Sequence, residues 1–438
     1  MYSKPPTLSP CKGIPCKSTN KNHQLQTINQ KLQNLTEQLY FSYLDARKNK
    51  RNTHNQLAFE LDLEHNLCTL AAQIYTNSYQ PKPAIAFIVN KPVQREIFAA
   101  DFADRVVHHL IYRCLYHKDI DPFFIKDSYS CRKGKGTLYG VKRATHFIRS
   151  CTQNYTQEAY ILKLDISGYF MNMSHNLLYN KVMAFITKKE YLGIPSKTLI
   201  LLLRKTIFAD VASNCHIKGS KSEWVGLPKD KSLFNKPSGI GLPIGNLTSQ
   251  IFGNIYLNQL DHYIKNTLQI EYYGRYVDDM IFVHKNKTVL KKIIPKIQAQ
   301  LDIVGLTIHP KKIYLQHYTK GVLFLGHYIK PYRAYISNRT KANFYKAIPT
   351  INHLITASFQ ITWETMTKVR ALLNAYLGTL SHAKCYNLIV KTLQNLDSKF
   401  YYFFGFTKNY SKTYIKKDYW LWHYTQTYLF TKQATMYC

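Results

Sequence analysis

The stretch Gly274-Arg275-Tyr276-Val277-Asp278-Asp279-Met280-Ile281-Phe282-Val283 constrains this chain more than any other. Two adjacent carboxylates precede a run of apolar, β-branched and aromatic residues, the composition of a buried strand. The expectation is a β-hairpin with Asp278 and Asp279 at its tip. Side-by-side acids amid apolar neighbours repel each other, and a bound cation is the usual remedy. A hard divalent ion such as Mg²⁺ prefers oxygen ligands and leaves room for substrate phosphates. A solvated Asp-Asp turn needs the same residues, so Tyr-x-Asp-Asp alone does not decide between the two.

A second acid comes from another apolar strand. In Ile161-Leu162-Lys163-Leu164-Asp165-Ile166-Ser167-Gly168-Tyr169-Phe170 the run ends on Asp165 and a glycine follows shortly. Metal-assisted phosphoryl transfer draws carboxylates from separate places in a fold, so that two ions about 3.5–4 Å apart serve both attacking and leaving oxygens. Asp165 with Asp278 and Asp279 supplies such a set. Taken alone, Asp165 also suits a turn at a strand end.

Charge narrows the partners. Across 438 residues, 59 Lys+Arg against 25 Asp+Glu leave a net charge of +34. Such a balance fits a polyanion, because each neutralised phosphate releases counterions and adds sequence-independent affinity. A basic ribosomal-type or membrane-surface protein would share the charge, but three acids set into apolar strands argue against both. Nine cysteines, an odd number running from Cys11 to Cys438, read as reduced thiols of a cytosolic protein. Cys11, Cys16 and His23 hint at a metal, yet no second Cys or His pair completes a zinc set. No long apolar span or signal segment is apparent, so no membrane is expected.

The order of strand-Asp165, then Gly241-Leu242-Pro243-Ile244-Gly245-Asn246-Leu247-Thr248-Ser249-Gln250, then Tyr276-Val277-Asp278-Asp279 resembles a reverse transcriptase. More narrowly, it resembles the reverse transcriptases of diversity-generating retroelements. Most reverse transcriptases carry Gln-Gly-x-x-x-Ser-Pro at the middle motif; this chain has Ile244-Gly245-x-x-x-Ser249-Gln250, the departure typical of that branch. The likeness runs from about Leu67 to about Leu393. It implies an α+β right-hand polymerase fold with fingers, a palm of antiparallel sheet plus helices, and a helical thumb. It implies catalysis by Asp165, Asp278 and Asp279, and two Mg²⁺ ions (Mn²⁺ as a substitute) held by Asp165, Ile166, Asp278 and Asp279. Arg95 falls where a basic residue grips the incoming triphosphate, and Phe170 where a ring excludes a 2′-hydroxyl. Ile244, Gly245 and Gln250 fall at the nucleotide, Ile244 replacing a glutamine that can hydrogen-bond it. Lys312 matches a lysine that approaches the triphosphate and can protonate the pyrophosphate leaving group.

The same resemblance implies the partners: structured template RNA, cDNA primer and product, dNTPs, and a small basic accessory variability protein that is homo-oligomeric. The implied product is error-prone cDNA mutagenised at adenines, made in the cytoplasm of a bacterium or from a phage gene. Two rivals stay open, a retron- or group II intron-type reverse transcriptase and a non-catalytic RNA-binding protein on the same fold.

Taken in order, residues 1–22 read as a disordered basic lead-in and 23–80 as a helical extension. In it Leu25, Ile28, Leu32, Leu35 and Leu39 recur at helical spacing, and a second helix is expected over about Gln56–Ser78. Fingers are placed at 81–160, with Ser128–Thr137 as a Gly-rich cationic turn for template-primer backbone or a solvated basic turn. The palm is placed at 161–336, including a polar, basic loop at 212–240 and a hairpin at Gly321–Ile329. Three helices near 339–355, 362–378 and 382–396 make the thumb, 337–398. The tail, 399–438, mixes aromatic and cationic residues that could stack on bases or pack on the thumb.

Overall fold

The strand-forming runs around the acidic residues satisfy their amide groups against one another. The computed structural model describes residues 19–48, 52–90, 93–115, 120–357 and 361–417. Its four-stranded antiparallel sheet has the spatial order Tyr314–His317, Tyr160–Leu164, Asp279–His284, Tyr272–Tyr276. In the central pair Leu162 stands opposite Phe282 and Leu164 opposite Met280. Ile161, Leu162, Leu164, Met280, Ile281, Phe282 and Val283 are all 0% exposed, so these strands are covered on both faces. That is why their sequences run continuously apolar instead of alternating.

The helix Thr137–Cys151 covers part of one face. Its Val141, Ala144, Phe147, Ile148 and Cys151, spaced three and four apart, share a core with Ile161, Ile281, Val283 and Phe324. Each buried side chain of this kind contributes about 1.5–3 kcal/mol. The expected hairpin at 321–329 gains a third strand, giving the meander Val322–Phe324, His327–Lys330, Arg333–Ile336. Helices Asn338–Thr356, Trp363–Leu380 and Tyr386–Leu393 bury Phe344, Ile351, Leu373, Leu377 and Ile389 in one cluster. Part of the tail completes that cluster: the hairpin Phe404–Phe406 with Thr413–Ile415 buries Phe404 and Ile415 in it.

The chain divides into two compact units. The sheet, the meander and the C-terminal helices belong to a unit built from Ile125–Ser167, Leu260–Leu301 and the segment from Thr307 onward. The other unit is built from the segment up to Phe124, Gly168–Gln259 and Asp302–Leu306. Its sheet joins Arg95–Ala99 to Ala84–Val89 in antiparallel fashion, and Cys215–Ile217 to the other edge of Ala84–Val89 in parallel. The long helix Thr19–Arg47 packs on Phe102–Leu115 and Leu63–Tyr75.

Three expectations change here. Of the apolar stripe of the first helix, Leu35 and Leu39 are buried and Ile28 is 36% exposed, while the side chain of Leu25 lies outside the described ones. The single helix over Gln56–Ser78 is two, His54–Leu61 and Leu63–Tyr75, because Asp62 leaves helical geometry at φ −134, ψ 59. Residues 212–240 are not a loop. They supply a strand and the short turns Lys221–Trp224, Lys229–Lys231 and Leu233–Asn235, fastened to buried Glu96. Of the lead-in read at 1–22, residues 19–22 begin the first helix and 1–18, with Cys11 and Cys16, lie outside the described residues, as do the side chain of His23 and the tail beyond 417. Among the described residues no helix is long and apolar enough to cross a membrane.

Candidate active site

Tyr276 pairs with Asp279, so Val277 and Asp278 form a two-residue hairpin loop. Val277 sits at φ +56. A β-branched residue in that region is strained by about 1–3 kcal/mol, and such strain persists only where neighbours impose it. The turn sets Asp278 and Asp279 at the end of the hairpin, beside the strand that delivers Asp165. Burial raises the carboxyl of Asp278, and the charges of Asp279 and Asp165 raise it further, to about 6. Three carboxylates therefore converge closely enough to feel one another.

Two lysines answer that charge. Lys312 Nζ lies 2.9 Å from both oxygens of Asp165, and Lys163 Nζ lies 3.1 Å from Asp279 Oδ1. The second contact is an ion pair without hydrogen-bond alignment, and buried Asp279 Oδ1 has no hydrogen-bond partner among the described residues. Among them, too, no three His, Cys, Asp or Glu side chains gather tightly enough to enclose a metal. The donor set nonetheless fits a hard cation: it is all oxygen, it is mutually repulsive, and one buried oxygen, Asp279 Oδ1, lacks a hydrogen-bond donor among the described residues. Ile166 is 1% exposed and its side chain carries no donor, so only its carbonyl oxygen could join the set. The strand Ile166–Ser167 pairs with Thr307–Ile308, and His309 N donates to Asp165 O at 2.7 Å, fixing the backbone that carries Asp165.

Arg95, Phe170, Ile244, Gly245 and Gln250 lie in the other unit. Arg95 is exposed at the start of its strand. Phe98 N, three residues on, donates to Ile244 O at 3.0 Å. The Ile244 side chain is half-buried against the cluster of Ala84, Phe98, Met171 and Leu233. Gly245 is exposed at φ +125, and an added Cβ would meet Ile97 Cγ2 at 3.0 Å and Phe98 O at 3.2 Å. Phe170 O accepts from Leu242 N at 2.8 Å, and the missing Cβ of Gly253 leaves room for its ring. Gln250 is exposed on the helix Leu247–His262. The Ser128–Thr137 turn spends its cations differently from expectation. Arg132 is buried and donates to the carbonyls of Ile125 and Ser128 at 2.6 and 3.1 Å, and Lys135 donates to Lys126 O at 2.6 Å.

Sequence reading missed Lys163 and Glu96. Lys163 interrupts an apolar strand two residues before Asp165 and so shares its face; opposite Ile281, it also lies diagonal to Asp279. Beside the acids opens a groove of about 1210 Å³, lined by Lys163, Lys330, Arg339, Lys341 and Lys384, by Tyr328 and Tyr386, and by a single carboxylate, Asp279. Cations along the walls with aromatic faces between them suit a polynucleotide.

Residues 94–329, more than half of the chain, match the family described as reverse transcriptase (RNA-dependent DNA polymerase). The chain belongs to the reverse transcriptase family. Its architecture mixes helices with antiparallel sheet. Reverse transcriptase domains generally use divalent metal ions. Protein YkfC of Escherichia coli (strain K12) is 23% identical over 318 residues, covering 64% of this reverse transcriptase and 73% of YkfC. An uncharacterized 91 kDa protein in a cob intron of Schizosaccharomyces pombe is 23% identical over 282 residues, covering 51% of this chain and 31% of that protein. Among solved structures, apo telomerase from Candida tropicalis superposes with a TM-score of 0.45 at 14% identity, covering 74% of this chain and 60% of the telomerase. Telomerase from Candida albicans with a telomeric RNA fragment gives 0.41 at 12% identity, covering 78% and 64%. The chain thus spans less than two thirds of each telomerase.

Proposed function

We propose that this reverse transcriptase copies a structured RNA into error-prone cDNA for a diversity-generating retroelement. The observation carrying the polymerase reading is the convergence of Asp165, Asp278 and Asp279 on adjoining strand ends, close enough to push Asp278 up to about 6. In this reading Asp165, Asp278, Asp279 and the carbonyl of Ile166 hold divalent ions, Mg²⁺ in the cell. When bound, such ions activate the primer 3′-hydroxyl and screen the charge that develops on the α-phosphate. The protein's own part is positioning. The strained turn fixes the carboxylates, and the cationic groove aligns the duplex. Lys312, 54% exposed on a flexible stem, neutralises Asp165 at rest and can turn to protonate the departing pyrophosphate. Arg95 holds the incoming triphosphate, Phe170 excludes the 2′-hydroxyl, and Gly245 lets the backbone approach the nucleotide beside Gln250. The fingers, palm and thumb boundaries follow the sequence reading, with 212–240 reassigned as a folded insertion on the fingers sheet.

The retroelement subtype rests on Ile244-Gly245-x-x-x-Ser249-Gln250. An isoleucine cannot hydrogen-bond the nucleotide, so one penalty on a misplaced base is absent. A small basic accessory protein would bind the same RNA. A second reading, an intron-type enzyme, is favoured by the relative encoded in a cob intron. One experiment separates them. Primer extension on an RNA containing all four bases, followed by sequencing of the cDNA, should show errors concentrated at adenine. Ile244→Gln should lower them severalfold, since one hydrogen bond is worth roughly 0.5–1.5 kcal/mol. Uniformly accurate copying by the wild type would favour the intron-type reading, and no extension on any template would refute the polymerase.

A further inference from the structure

Arg275 is the largest fully buried side chain of the described residues, and its partner Asp261 is also 0% exposed. Arg275 Nε and Nη2 donate to the two oxygens of Asp261 at 2.8 and 2.6 Å, and Tyr273 Oη donates to Asp261 Oδ1 at 2.6 Å. Burying such a pair costs several kcal/mol per ion, and an apolar pair of equal volume often stabilises a fold as well or better. Stability alone is therefore a poor reason for it. The third nitrogen gives a better one: Nη1 donates to Val277 O at 2.8 Å. Val277 is the residue held at φ +56, and Asp278 follows it.

The strand beneath is immobilised from its other edge. Arg275 N donates to Asp127 O at 2.8 Å, and Tyr129 N donates to Arg275 O at 2.9 Å. Asp127 is itself gripped by Arg143 through two bonds of 2.6 and 3.1 Å. A Cβ on Gly274 would stand 2.0 Å from Tyr129 Oη, so the Tyr129 segment lies flush against the strand. The backbone below the turn is thus fixed on one side and the turn's carbonyl on the other.

We propose that Arg275, oriented by Asp261, is a positioning residue whose guanidinium latches the Val277 carbonyl and so holds the strained turn that aims the Asp278 carboxylate. Only a rigid fork of donors spans a carboxylate and a carbonyl at once; a lysine in its place grips Asp261 and lets the turn relax. The inference rests on the polymerase reading for its consequence in catalysis, and on the carboxylate site alone for its consequence in ion binding.

The test compares wild type with Arg275→Lys and with the double variant Arg275→Met/Asp261→Leu, which removes the buried charges together and keeps the volume. Thermal melts establish folding. Steady-state primer extension gives kcat and the KM for dNTP, and titration with Mn²⁺ followed by electron paramagnetic resonance gives ion affinity without turnover. Both variants should fold, lose about 10–100-fold in kcat, keep the dNTP KM within about twofold, and bind Mn²⁺ several-fold more weakly; a shift near 1 Å in a reacting group can cost 10²-fold. Wild-type kcat and Mn²⁺ affinity in either folded variant overturns the latch. Lost kcat with unchanged Mn²⁺ affinity overturns it too, because the latch acts through Asp278. If the double variant does not fold, Arg275→Lys decides by the same readings. A wild type that binds Mn²⁺ yet extends no primer refutes the polymerase reading and leaves the latch to be judged on Mn²⁺ alone.

Discussion

Glu96 lends itself to a quantitative test, because one buried carboxylate holds an entire insertion. It is 1% exposed and accepts three hydrogen bonds: Trp224 Nε1 at 2.7 Å and Ser232 Oγ at 2.6 Å on Oε2, and Leu233 N at 2.7 Å on Oε1. Glu96→Ala orphans all three donors. Each orphaned buried donor costs about 1–3 kcal/mol, so the sum is roughly 3–9 kcal/mol before relaxation. Much of that is recovered if the insertion lifts and its donors reach water. Gln94 adds two ties, its amide donating to Glu223 O at 2.8 Å and Val225 O at 3.1 Å, and the strand Cys215–Ile217 stays paired with Ala84–Ala86 independently of Glu96. Local detachment of residues 219–240 is therefore the expected response, not global unfolding, with opening favoured by about 3–4 kcal/mol, or ~10²–10³-fold.

Glu96→Gln makes the reasoning sharper. An amide oxygen at the Oε2 position keeps the bonds from Trp224 and Ser232, while its NH₂ faces the Leu233 N–H and loses one bond. Its cost should be about 1–3 kcal/mol, between wild type and alanine. Hydrogen–deuterium exchange across 219–240 and trypsin cleavage at Lys221, Lys229 and Lys231 report the opening. Exchange in the Ala84–Val89 strand should change little. An alanine variant whose insertion stays as protected as wild type would refute the idea that Glu96 is the anchor.

Asp278→Asn or Asp165→Asn should abolish cDNA synthesis while leaving RNA retention on filters nearly intact, since Asn keeps shape but removes the charge that would hold a cation. Gly245→Ala should cost about 1–3 kcal/mol in a thermal melt and raise the dNTP KM, because φ +125 suits glycine and the Cβ meets Phe98 O at 3.2 Å. RNA affinity should fall by orders of magnitude between about 50 and 200 mM salt, given the +34 charge; a flat filter-binding curve would contradict backbone-dominated recognition. Two groups on the helix Phe102–Leu115 set opposing pH slopes. Burial depresses His108 to about 3, so its stabilisation is whole above about pH 6.5 and is lost as pH falls toward 3. Burial raises Asp104 to about 6, so the native state holds the extra proton and gains stability as pH falls from about 6 to 4. The two cancel in that window, and Asp104→Asn should expose a further loss of about 2–3 kcal/mol between pH 6 and pH 4 in urea unfolding.

How much of this was legible depends on where each residue's partner lies in the chain. The central strands could be read because burial made them apolar but for Lys163, and the helix Thr137–Cys151 because its buried face repeats at three and four. The insertion could not be read, since its hydrogen bonds reach 128 to 137 residues back to Glu96. Lys163 looked like a flaw in a strand until the register set it diagonal to Asp279. Asp261 and Arg275 are only 14 residues apart, yet they sit on different elements, and spacing says nothing of which way each points.

A chain shaped for a polyanion, with 25 acids against 59 basic residues, gains nothing by burying carboxylates. Yet Glu96, Asp104, Asp127, Asp165 and Asp261 are each less than a tenth exposed. Each meets donors: Glu96 the insertion, Asp104 the Tyr79 hydroxyl and Lys82 N, Asp127 Arg143, Asp165 Lys312, Asp261 Arg275. Burial of an acid is tolerated only where several donors converge on it. In a sequence so poor in acids, those embedded in apolar runs are therefore the places to look for backbone that must be held still. Two of these five, Asp127 and Asp261, hold the strand and turn that carry Asp278 and Asp279, and a third, Asp165, is itself a candidate catalytic carboxylate. Asp165 thus serves as a candidate ion ligand, while Asp127 and Asp261 fix the scaffold of the other two, Asp278 and Asp279.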